Sequence, residues 1–225
     1  GVVYEAVQET LSRRVALKIL PEAHQLDARR LERFRREARA AAALEHPHIV
    51  PVFGMGEANG LCYYAMQYVP GESLDQVLGE VRCLRSASLL VNPCRPPELS
   101  PLEDSSSSAL ALLAGRFGME SPGNDSPEEP RKLPRSEGYF HSAARLGLQV
   151  ARAFEYAHAH GILHRDIKPA NILIHQGTAW VTDFGLAKVE GTSDLTGTGE
   201  MVGTLRYMAP ECFRGWSDQR TDIYS

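Results

Sequence analysis

Residues 164–171 read His-Arg-Asp-Ile-Lys-Pro-Ala-Asn, and residues 183–185 read Asp-Phe-Gly. The first run places an acidic side chain, Asp166, five positions before an amide, Asn171. A carboxylate can accept a proton from a hydroxyl group, and amide and carboxylate oxygens are hard ligands that suit Mg²⁺. Asp183 supplies a second ligand of this kind. An isolated Asp-Phe-Gly could be a simple turn, but the two motifs in this order and at this spacing predict an active centre.

The composition sets the limits for the rest of the chain. Its 225 residues suffice for one large domain or two small lobes, and 43% of them are hydrophobic. A net charge of -4 offers no basic field for nucleic acid. No apolar run approaches the roughly 18 residues that a membrane helix needs. Four cysteines without a C-x-x-C pair indicate reduced thiols, so we expect a cytoplasmic protein, or the cytoplasmic domain of a larger, membrane-anchored one.

Hydrophobic patterning predicts a mixed α and β chain. Short β-branched and apolar runs predict strands at residues 2–7, 14–20, 49–54, 61–68, 171–174 and 179–182. Apolar residues at helical spacing predict helices from Asp27 to about Leu44, from Leu74 to Leu78 and from about Tyr139 to His160. The first two strands are joined by a polar connection and are expected to form a hairpin.

The composition changes between about Glu80 and Gly138, where serine and proline are frequent and no hydrophobic period is sustained. Such a segment buries too little apolar surface to offset its ordering entropy, so we expect residues 80–138 to be a mostly disordered insertion. Residues 109–114 predict a short helix within it. A plain spacer is the simpler interpretation. A docking or phosphorylation segment is the alternative, suggested by Ser121-Pro122 and Ser126-Pro127.

Lys18 lies on a predicted strand that reads Val-Ala-Leu-Lys over residues 15–18. Alone, it could be a surface lysine. Glu37 lies on the first predicted helix among several arginines and could form a surface salt bridge. However, Glu37 falls three residues after Phe34 and four before Ala41, on the inward edge of the helix. We therefore expect Lys18 and Glu37 to pair.

Together these motifs resemble the Ser/Thr protein kinases, and especially the bacterial eukaryote-like (Hanks-type) kinases, over nearly all of 1–79 and 139–225. The resemblance implies an α+β, bilobal protein-kinase-like fold with a small β-rich lobe and a larger helical lobe. Its domains would be residues 1–69 (small lobe), 70–79 (hinge and start of the large lobe), 80–138 (insertion) and 139–225 (large lobe). It also implies transfer of the γ-phosphate of ATP to Ser or Thr hydroxyls of proteins, with Mg²⁺.

The resemblance assigns roles to individual residues. Asp166 and Lys168 would be catalytic, and Asn171 and Asp183 would bind Mg²⁺. The nucleotide-binding residues would be Gly1, Val3, Ala16, Lys18, Glu37, Met66, Gln67, Val69 and Leu173. In this set, Lys18 paired with Glu37 would anchor phosphate, and Met66 would be the gatekeeper. Gln67 to Val69 would form the adenine-binding hinge, Val3 and Ala16 would cover one face of the adenine as its roof, and Leu173 would be its floor.

Further matches follow the metal loop. Gly203-Thr204 with Tyr207-Met208 resembles a substrate-docking loop, and Ala209-Pro210-Glu211 resembles the end of an activation segment. Asp222 matches an aspartate that braces the catalytic loop. Arg165 can pair with a phosphate on residues 186–206, although this Thr/Gly-rich run could be merely flexible. Its candidate acceptors are Thr192, Ser193, Thr196 and Thr198. The spacing of His158, His160 and His164 argues against a zinc site.

Two departures from the family pattern lead us to expect a domain that is incomplete at both termini. Only the last glycine of the glycine-rich loop is present, at Gly1, and the chain stops where a long helix of the large lobe begins. Missing core helices should cost more than the roughly 5–15 kcal/mol by which a domain is stable. We therefore predict that this stretch alone folds poorly, and a cooperative thermal transition would contradict that.

The expected partners are protein substrates that carry Ser or Thr, and a second copy of the chain for phosphorylation in trans. Neither nucleic acid nor a membrane segment is expected. Two other functions are compatible with the motifs. A pseudokinase would keep the fold without the chemistry, but Lys18, Glu37, Asp166, Asn171 and Asp183 are all present. A small-molecule phosphotransferase would usually lack Lys168 and the docking segment.

Overall fold

The computed structural model describes residues 2–20, 28–90, 107–117, 136–184 and 205–225. Within these ranges the N-terminal part is a four-stranded sheet with one helix, and the C-terminal part is mainly helical with a small three-stranded sheet. This architecture confirms the predicted α+β, bilobal fold. No helix in the described ranges is both long and apolar enough to cross a membrane.

Four antiparallel strands form the N-terminal sheet in the order β1-β2-β4-β3. They are β1 (Val2–Gln8), β2 (Arg13–Ile19), β3 (Val52–Ala58) and β4 (Leu61–Gln67). The predicted β1–β2 hairpin is confirmed. Strand β3 begins later than predicted because Ile49 instead bridges to Val181 in the other sheet. A two-residue turn at Asn59-Gly60, with φ of 51° and 75°, joins β3 to β4, as expected for this dipeptide.

Helix α1 (Ala28–Ala42) packs against this sheet. Phe34 and Ala38 are buried in one cluster with Tyr64 and Met66 of β4. The i, i+4 spacing of the two helical residues places both on the same helix face. Glu37, between them, is also buried, as its phase predicts. Asp27, the predicted start of this helix, lies outside the described residues.

The C-terminal part contains α2 (Leu74–Leu90), α3 (Ser108–Leu113), α4 (Ser136–Ala159) and α5 (Gln219–Tyr224). Its sheet has the order β5-β6-β7, with β5 (Glu72–Ser73), β6 (Ile172–His175) and β7 (Thr178–Val181). Asn171 immediately precedes β6, and Asp183 follows β7 by two residues. Because β6 and β7 form an antiparallel hairpin, this topology brings both residues to one edge of the sheet.

The two parts share a buried core. Ala153, Phe154 and Ala157 of α4 pack with Leu44, which follows α1, and with Val181 of β7. These three α4 residues recur at i, i+1 and i+4, so one face of the helix is buried. Backbone hydrogen bonds add to this contact, since Val50 N donates to Val181 O at 2.9 Å and Val181 N donates to His48 O at 2.8 Å.

The segment predicted to be a disordered insertion contains ordered, packed structure where it is described. Helix α2 continues to Leu90, twelve residues beyond its predicted end at Leu78. The predicted helix at 109–114 is present as α3, and Ala109, Leu112 and Phe117 are buried. The expectation of disorder is therefore wrong for residues 80–90 and 136–138, which are helical, whereas the helix predicted at 109–114 is confirmed. Tertiary contacts bury apolar side chains that show no local period. The rest of the insertion up to Ser136 lies outside the described residues.

Candidate active site

Lys18 lies between two carboxylates. Its Nζ is 2.7 Å from Glu37 Oε1 and 2.7 Å from Asp183 Oδ1. Strand β2, helix α1 and the loop after β7 thus each contribute one side chain. Lys18 is 5% exposed and Glu37 is 3% exposed. The two residues that the sequence predicts to pair are in contact, and the third partner is the aspartate of the Asp-Phe-Gly motif.

The carboxylates keep Lys18 charged. Burial lowers the pKa of a lysine, but the charges of Asp183 and Glu37 and their hydrogen bonds outweigh that effect, so the pKa of Lys18 is raised. Tyr64 on β4 also donates a hydrogen bond to Glu37 Oε1, at 2.9 Å. Burial and the two nearby carboxylates raise the pKa of Tyr64, so its hydroxyl remains a donor. The arrangement presents a fixed ammonium group to an anionic ligand.

Tyr64 was not singled out from the sequence. A usable signal exists, because Cys62, Tyr64 and Met66 alternate along β4 and all three are buried on one face. A buried tyrosine hydroxyl normally finds a polar partner. Tyr64 lies opposite Lys18 in the β2–β4 register, so the partner would be expected near that lysine.

Asp222 of α5 holds the backbone of residues 164–165, at the start of the predicted catalytic loop (residues 164–171). Its carboxylate accepts hydrogen bonds from His164 N at 2.8 Å and Arg165 N at 2.7 Å. Arg165 has a φ of 66°, in the left-handed region that non-glycine residues seldom occupy. The bracing contact implied by the resemblance is thus present, and it holds the backbone directly before Asp166 in an uncommon conformation. Asp222 also lies 2.9 Å from His158 Nε2.

His164 connects the two loops that carry the candidate catalytic and metal-binding aspartates. Its Nδ1 accepts a hydrogen bond from Asp166 N at 3.3 Å, so Nε2 carries the proton and donates to Thr182 O at 2.9 Å. Burial lowers the pKa of His164, which favours this neutral form. The imidazole therefore ties the loop that carries Asp166 to the residue before Asp183.

Asp166, Lys168 and Asn171 form a compact group. Lys168 Nζ lies 2.9 Å from Asp166 Oδ2. Asn171 Nδ2 donates to the main-chain oxygen of Asp166 at 2.8 Å and to its Oδ2 at 3.3 Å. Since the amide nitrogen of Asn171 is used in this way, its Oδ1 is the atom that can bind a cation.

Asp183 is the other candidate metal ligand with a hard oxygen. It has a φ of 63°, and the following Phe184 is buried against Phe154 and His164, at centroid distances of 6.0 and 4.8 Å. The buried phenyl ring fixes the turn that directs Asp183 towards Lys18. The contact with Lys18 uses Oδ1, and a carboxylate has a second oxygen. One amide and one carboxylate ligand fit Mg²⁺, which usually takes one or two protein oxygens and completes its shell with phosphate and water.

The predicted adenine-binding residues are grouped beside this centre. Ala16 and Met66 are buried and lie opposite each other in the β2–β4 register, and Leu173 packs against the same cluster. Val3 is half exposed and lies opposite Lys18 across the β1–β2 hairpin. Thr182 Oγ1 donates to Met66 Sδ at 3.9 Å, so Met66 lies at the end of this group nearest Asp183.

The predicted hinge residues begin at Gln67, the last residue of β4. Gln67 N donates to Pro51 O at 2.9 Å, and Val69 O accepts from Gly71 N at 2.8 Å. Val69 is buried in the same cluster as Met66. The chain then enters β5, where Ser73 lies opposite Leu173. The hinge and the proposed floor of the adenine site are therefore adjacent.

Residues 207–209 lie beside Asp166. Asp166 and Arg165 border a small cavity together with Tyr207, Met208 and Ala209. Several predicted residues lie outside the described ranges, namely Gly1, Gly203-Thr204 and the candidate phosphorylation residues Thr192, Ser193, Thr196 and Thr198.

Comparison with known proteins agrees with this geometry. The family model of protein tyrosine and serine/threonine kinases matches residues 1–225. The chain is 32% identical over 225 residues to the serine/threonine-protein kinase PrkC of Bacillus subtilis, a match that covers 99% of this chain and 26% of PrkC. It is 34% identical over 232 residues to the serine/threonine-protein kinase PknA of Mycobacterium tuberculosis, covering 100% of this chain and 41% of PknA.

Solved structures show the same relationship. The crystal structure of the PknI kinase domain from Mycobacterium tuberculosis aligns with a TM-score of 0.52 and 27% identity, covering 98% of this chain and 63% of that one. The chain spans about a quarter to two-fifths of the length of PrkC and PknA. The family match over the whole chain and the fold both lead to one conclusion. This chain belongs to the protein tyrosine and serine/threonine kinase family.

Proposed function

We propose that this chain transfers the γ-phosphate of ATP to Ser and Thr hydroxyls of proteins. The observation that carries the proposal is the buried Lys18, held between Glu37 and Asp183 at 2.7 Å from each. A charged lysine fixed beside a candidate metal ligand is the arrangement that phosphate binding needs. Membership of the family implies ATP and a divalent metal ion.

Each residue of the candidate active site would have a separate role in phosphoryl transfer. Lys18 would bind phosphate oxygens, and Asn171 with Asp183 would hold Mg²⁺, which neutralises charge on the phosphates when bound. Asp166 would orient the acceptor hydroxyl and take its proton as the new bond to phosphorus forms and ADP departs. Lys168, at 2.9 Å from Asp166, would stabilise negative charge on the transferred group.

The nucleotide base would occupy the site beside this centre. Val3 and Ala16 would cover one face of adenine and Leu173 the other, while backbone groups between Gln67 and Val69 would bind its polar edge. Met66 would limit the depth of the site. The polar base edge requires main-chain partners because the remaining walls are apolar.

Serine and threonine are the proposed acceptors because Lys168 follows Asp166 by two residues, as in Ser/Thr kinases. We also propose that one copy phosphorylates another within residues 192–198. Arg165, next to Asp166, would bind the resulting phosphate. The kinase region is proposed to act in the cytoplasm, which supplies ATP and keeps its cysteines reduced.

The test uses the whole protein that contains this chain, incubated with Mg²⁺ and γ-labelled ATP, with and without a generic protein acceptor. Asp166→Asn should reduce label transfer by about 10²–10⁴-fold. Asp75→Asn, the same change at an exposed position on α2, should leave transfer unchanged. Phosphoamino-acid analysis should find label on Ser or Thr.

Two results would contradict the proposal. ATP binding without any label transfer would indicate a pseudokinase. Transfer to a sugar or an antibiotic, but not to protein, would indicate a small-molecule phosphotransferase. Label that maps to residues 192–198 and reaches the Asp166→Asn variant when active protein is added would support phosphorylation between copies.

A further inference from the structure

Residues 107–117, here called the inserted segment, are packed on the C-terminal part of the chain. Helix α3 lies against α2 and α4. Ala109, Leu112 and Phe117 are 0%, 2% and 6% exposed and belong to a cluster with Val77 of α2 and Ile174 of β6. This burial makes the inserted segment part of the core.

The inserted segment also reaches the sheet that carries the proposed adenine floor. On one side, Ser108 N donates to Glu72 Oε2 of β5 at 3.3 Å. On the other, Phe117 packs on the β6–β7 turn so closely that a Cβ at Gly177 would lie 3.0 Å from its Cδ1. Since Leu173 is on β6 between these contacts, the inserted segment braces the strand beneath the nucleotide site.

Ser107 is the first residue of the inserted segment, and its side chain makes two polar contacts. Its Oγ donates to Glu80 Oε2 of α2 at 2.5 Å and accepts from Ala109 N at 3.2 Å, which caps α3. The contact with Glu80 is at the protein surface. One hydroxyl thus connects the inserted segment to α2 and caps its helix, and the carboxylate of Glu72 accepts from the N–H of the next residue, Ser108.

We propose that Ser107 is a phosphorylation site and that its phosphorylation releases the inserted segment from the large lobe. A phosphoserine carries roughly 1.5 to 2 negative charges and lacks the hydroxyl proton that Glu80 accepts. It would face Glu80 directly and Glu72 one residue away. A helix N-terminus favours phosphate, but α3 has six residues and its dipole offers little against two carboxylates.

The covalent step follows from the proposed function, on which the identity of the phosphate donor rests. Ser107 Oγ would bond to the γ-phosphorus of ATP, the bond from that phosphorus to the β–γ bridging oxygen would break, ADP would leave, and the hydroxyl proton would pass to the catalytic carboxylate. Ser107 Oγ is occupied by Glu80 and Ala109 N in this structure, so the phosphate can be transferred only while the inserted segment is detached from the large lobe. The phosphate on Ser107 then prevents the segment from packing again.

The first experiment needs no kinase activity. Phosphoserine is incorporated at position 107 of the whole protein in the Asp166→Asn background, and amide hydrogen exchange is followed at Ala111 and Ala114, whose N–H groups bond within the inserted segment. Exchange at both should be at least about tenfold faster than with serine at 107. Adding Glu72→Gln and Glu80→Gln should restore slower exchange. Phosphoserine at Ser121 is the positional control. Unchanged exchange at Ala111 and Ala114 would overturn the release.

The second experiment tests the modification. Wild-type protein is incubated with Mg²⁺ and ATP, alone and with the Asp166→Asn variant as acceptor. A third sample is protein isolated from the cells that produce it naturally. Phosphopeptides that contain residue 107 are sought in all three samples. Phosphate at Ser107 in any of these supports the site. If label appears elsewhere but never at Ser107, the site is wrong while the proposed function stands. If purified protein labels nothing, the proposed function fails, and the cell-derived protein still decides on Ser107.

Discussion

Lys18 supplies a buried positive charge to the candidate site. A buried lysine without partners would lose its charge, but two carboxylates at 2.7 Å reverse that tendency. The sequence predicts the contact with Glu37 through helical phase. It does not predict from local pattern that Asp183, which is 165 residues away, completes the group. That contact depends on how the two sheets meet.

His164 leads to a prediction about pH. Its lowered pKa means that the native state keeps it neutral, while the unfolded chain binds a proton near the ordinary value of about 6.5. Below that pH the unfolded state holds the extra proton, so the free energy of unfolding should fall as the pH decreases from 7 to 5, by up to about 1.4 kcal/mol per pH unit from this residue. Urea titrations should show a shallower pH dependence in His164→Gln.

The control is His160→Gln, which changes an exposed histidine. It alters no buried side chain, so the pH dependence of the free energy of unfolding should change less in this variant than in His164→Gln. If the free energy of unfolding changes with pH equally in His164→Gln and in the wild type between pH 5 and 7, His164 is not held neutral by burial.

Element boundaries show what local pattern can predict. The β1–β2 hairpin and α1 follow from runs of β-branched residues and from helical spacing. The extension of α2 does not. Gly79 lies within this helix, and Val77 and Val81, the buried residues among positions 74–86, form a single i, i+4 pair. This helix is stabilised by the surfaces of α3 and α4, and such contacts cannot be seen in the sequence of α2 alone.

The packing of the inserted segment should contribute to the stability of the protein. Leu112→Ala should lower the free energy of unfolding by about 2–5 kcal/mol, because the side chain is almost fully buried and its removal leaves a cavity. Leu110→Ala, two residues away and 51% exposed, should change it by less than about 0.5 kcal/mol. Denaturant melts of the whole protein measure both. Equal, small effects would mean that the inserted segment does not contribute to the core.

At the scale of the molecule, a few long-range contacts connect the two parts. Backbone bonds link residues 48–50 to Val181 of β7, and Asp222 reaches back 58 residues to His164. Only the family resemblance predicts the role of Asp222, since nothing in the local pattern of α5 places its carboxylate under the catalytic loop. The motifs therefore propose the residues of the candidate site, but they predict only some of the contacts that hold those residues in place.

Asp222→Ala should affect both stability and activity. One buried and one partly buried amide would lose a charged acceptor, which should cost roughly 3–6 kcal/mol. The loop before Asp166 would then relax from its left-handed conformation, and phosphoryl transfer should fall with it. Asp218→Ala, which removes an exposed helix cap on the same element, should cost about 1 kcal/mol and leave activity intact. Chemical denaturation and initial-rate assays provide the two measurements, and equal losses in both variants would contradict the bracing role.

The close approach of Gly115 to α4 has a practical consequence. A Cβ on Gly115 would lie 2.6 Å from Gly138 Cα, so the two backbones meet with no room for a side chain. The chain between them therefore starts and finishes at one point of the surface. Closing a loop whose ends are already fixed together adds only about 0.6 kcal/mol for each doubling of its length. A fluorescent domain spliced between residues 118 and 135 should thus leave the kinase core intact, and would give a live-cell reporter of this protein.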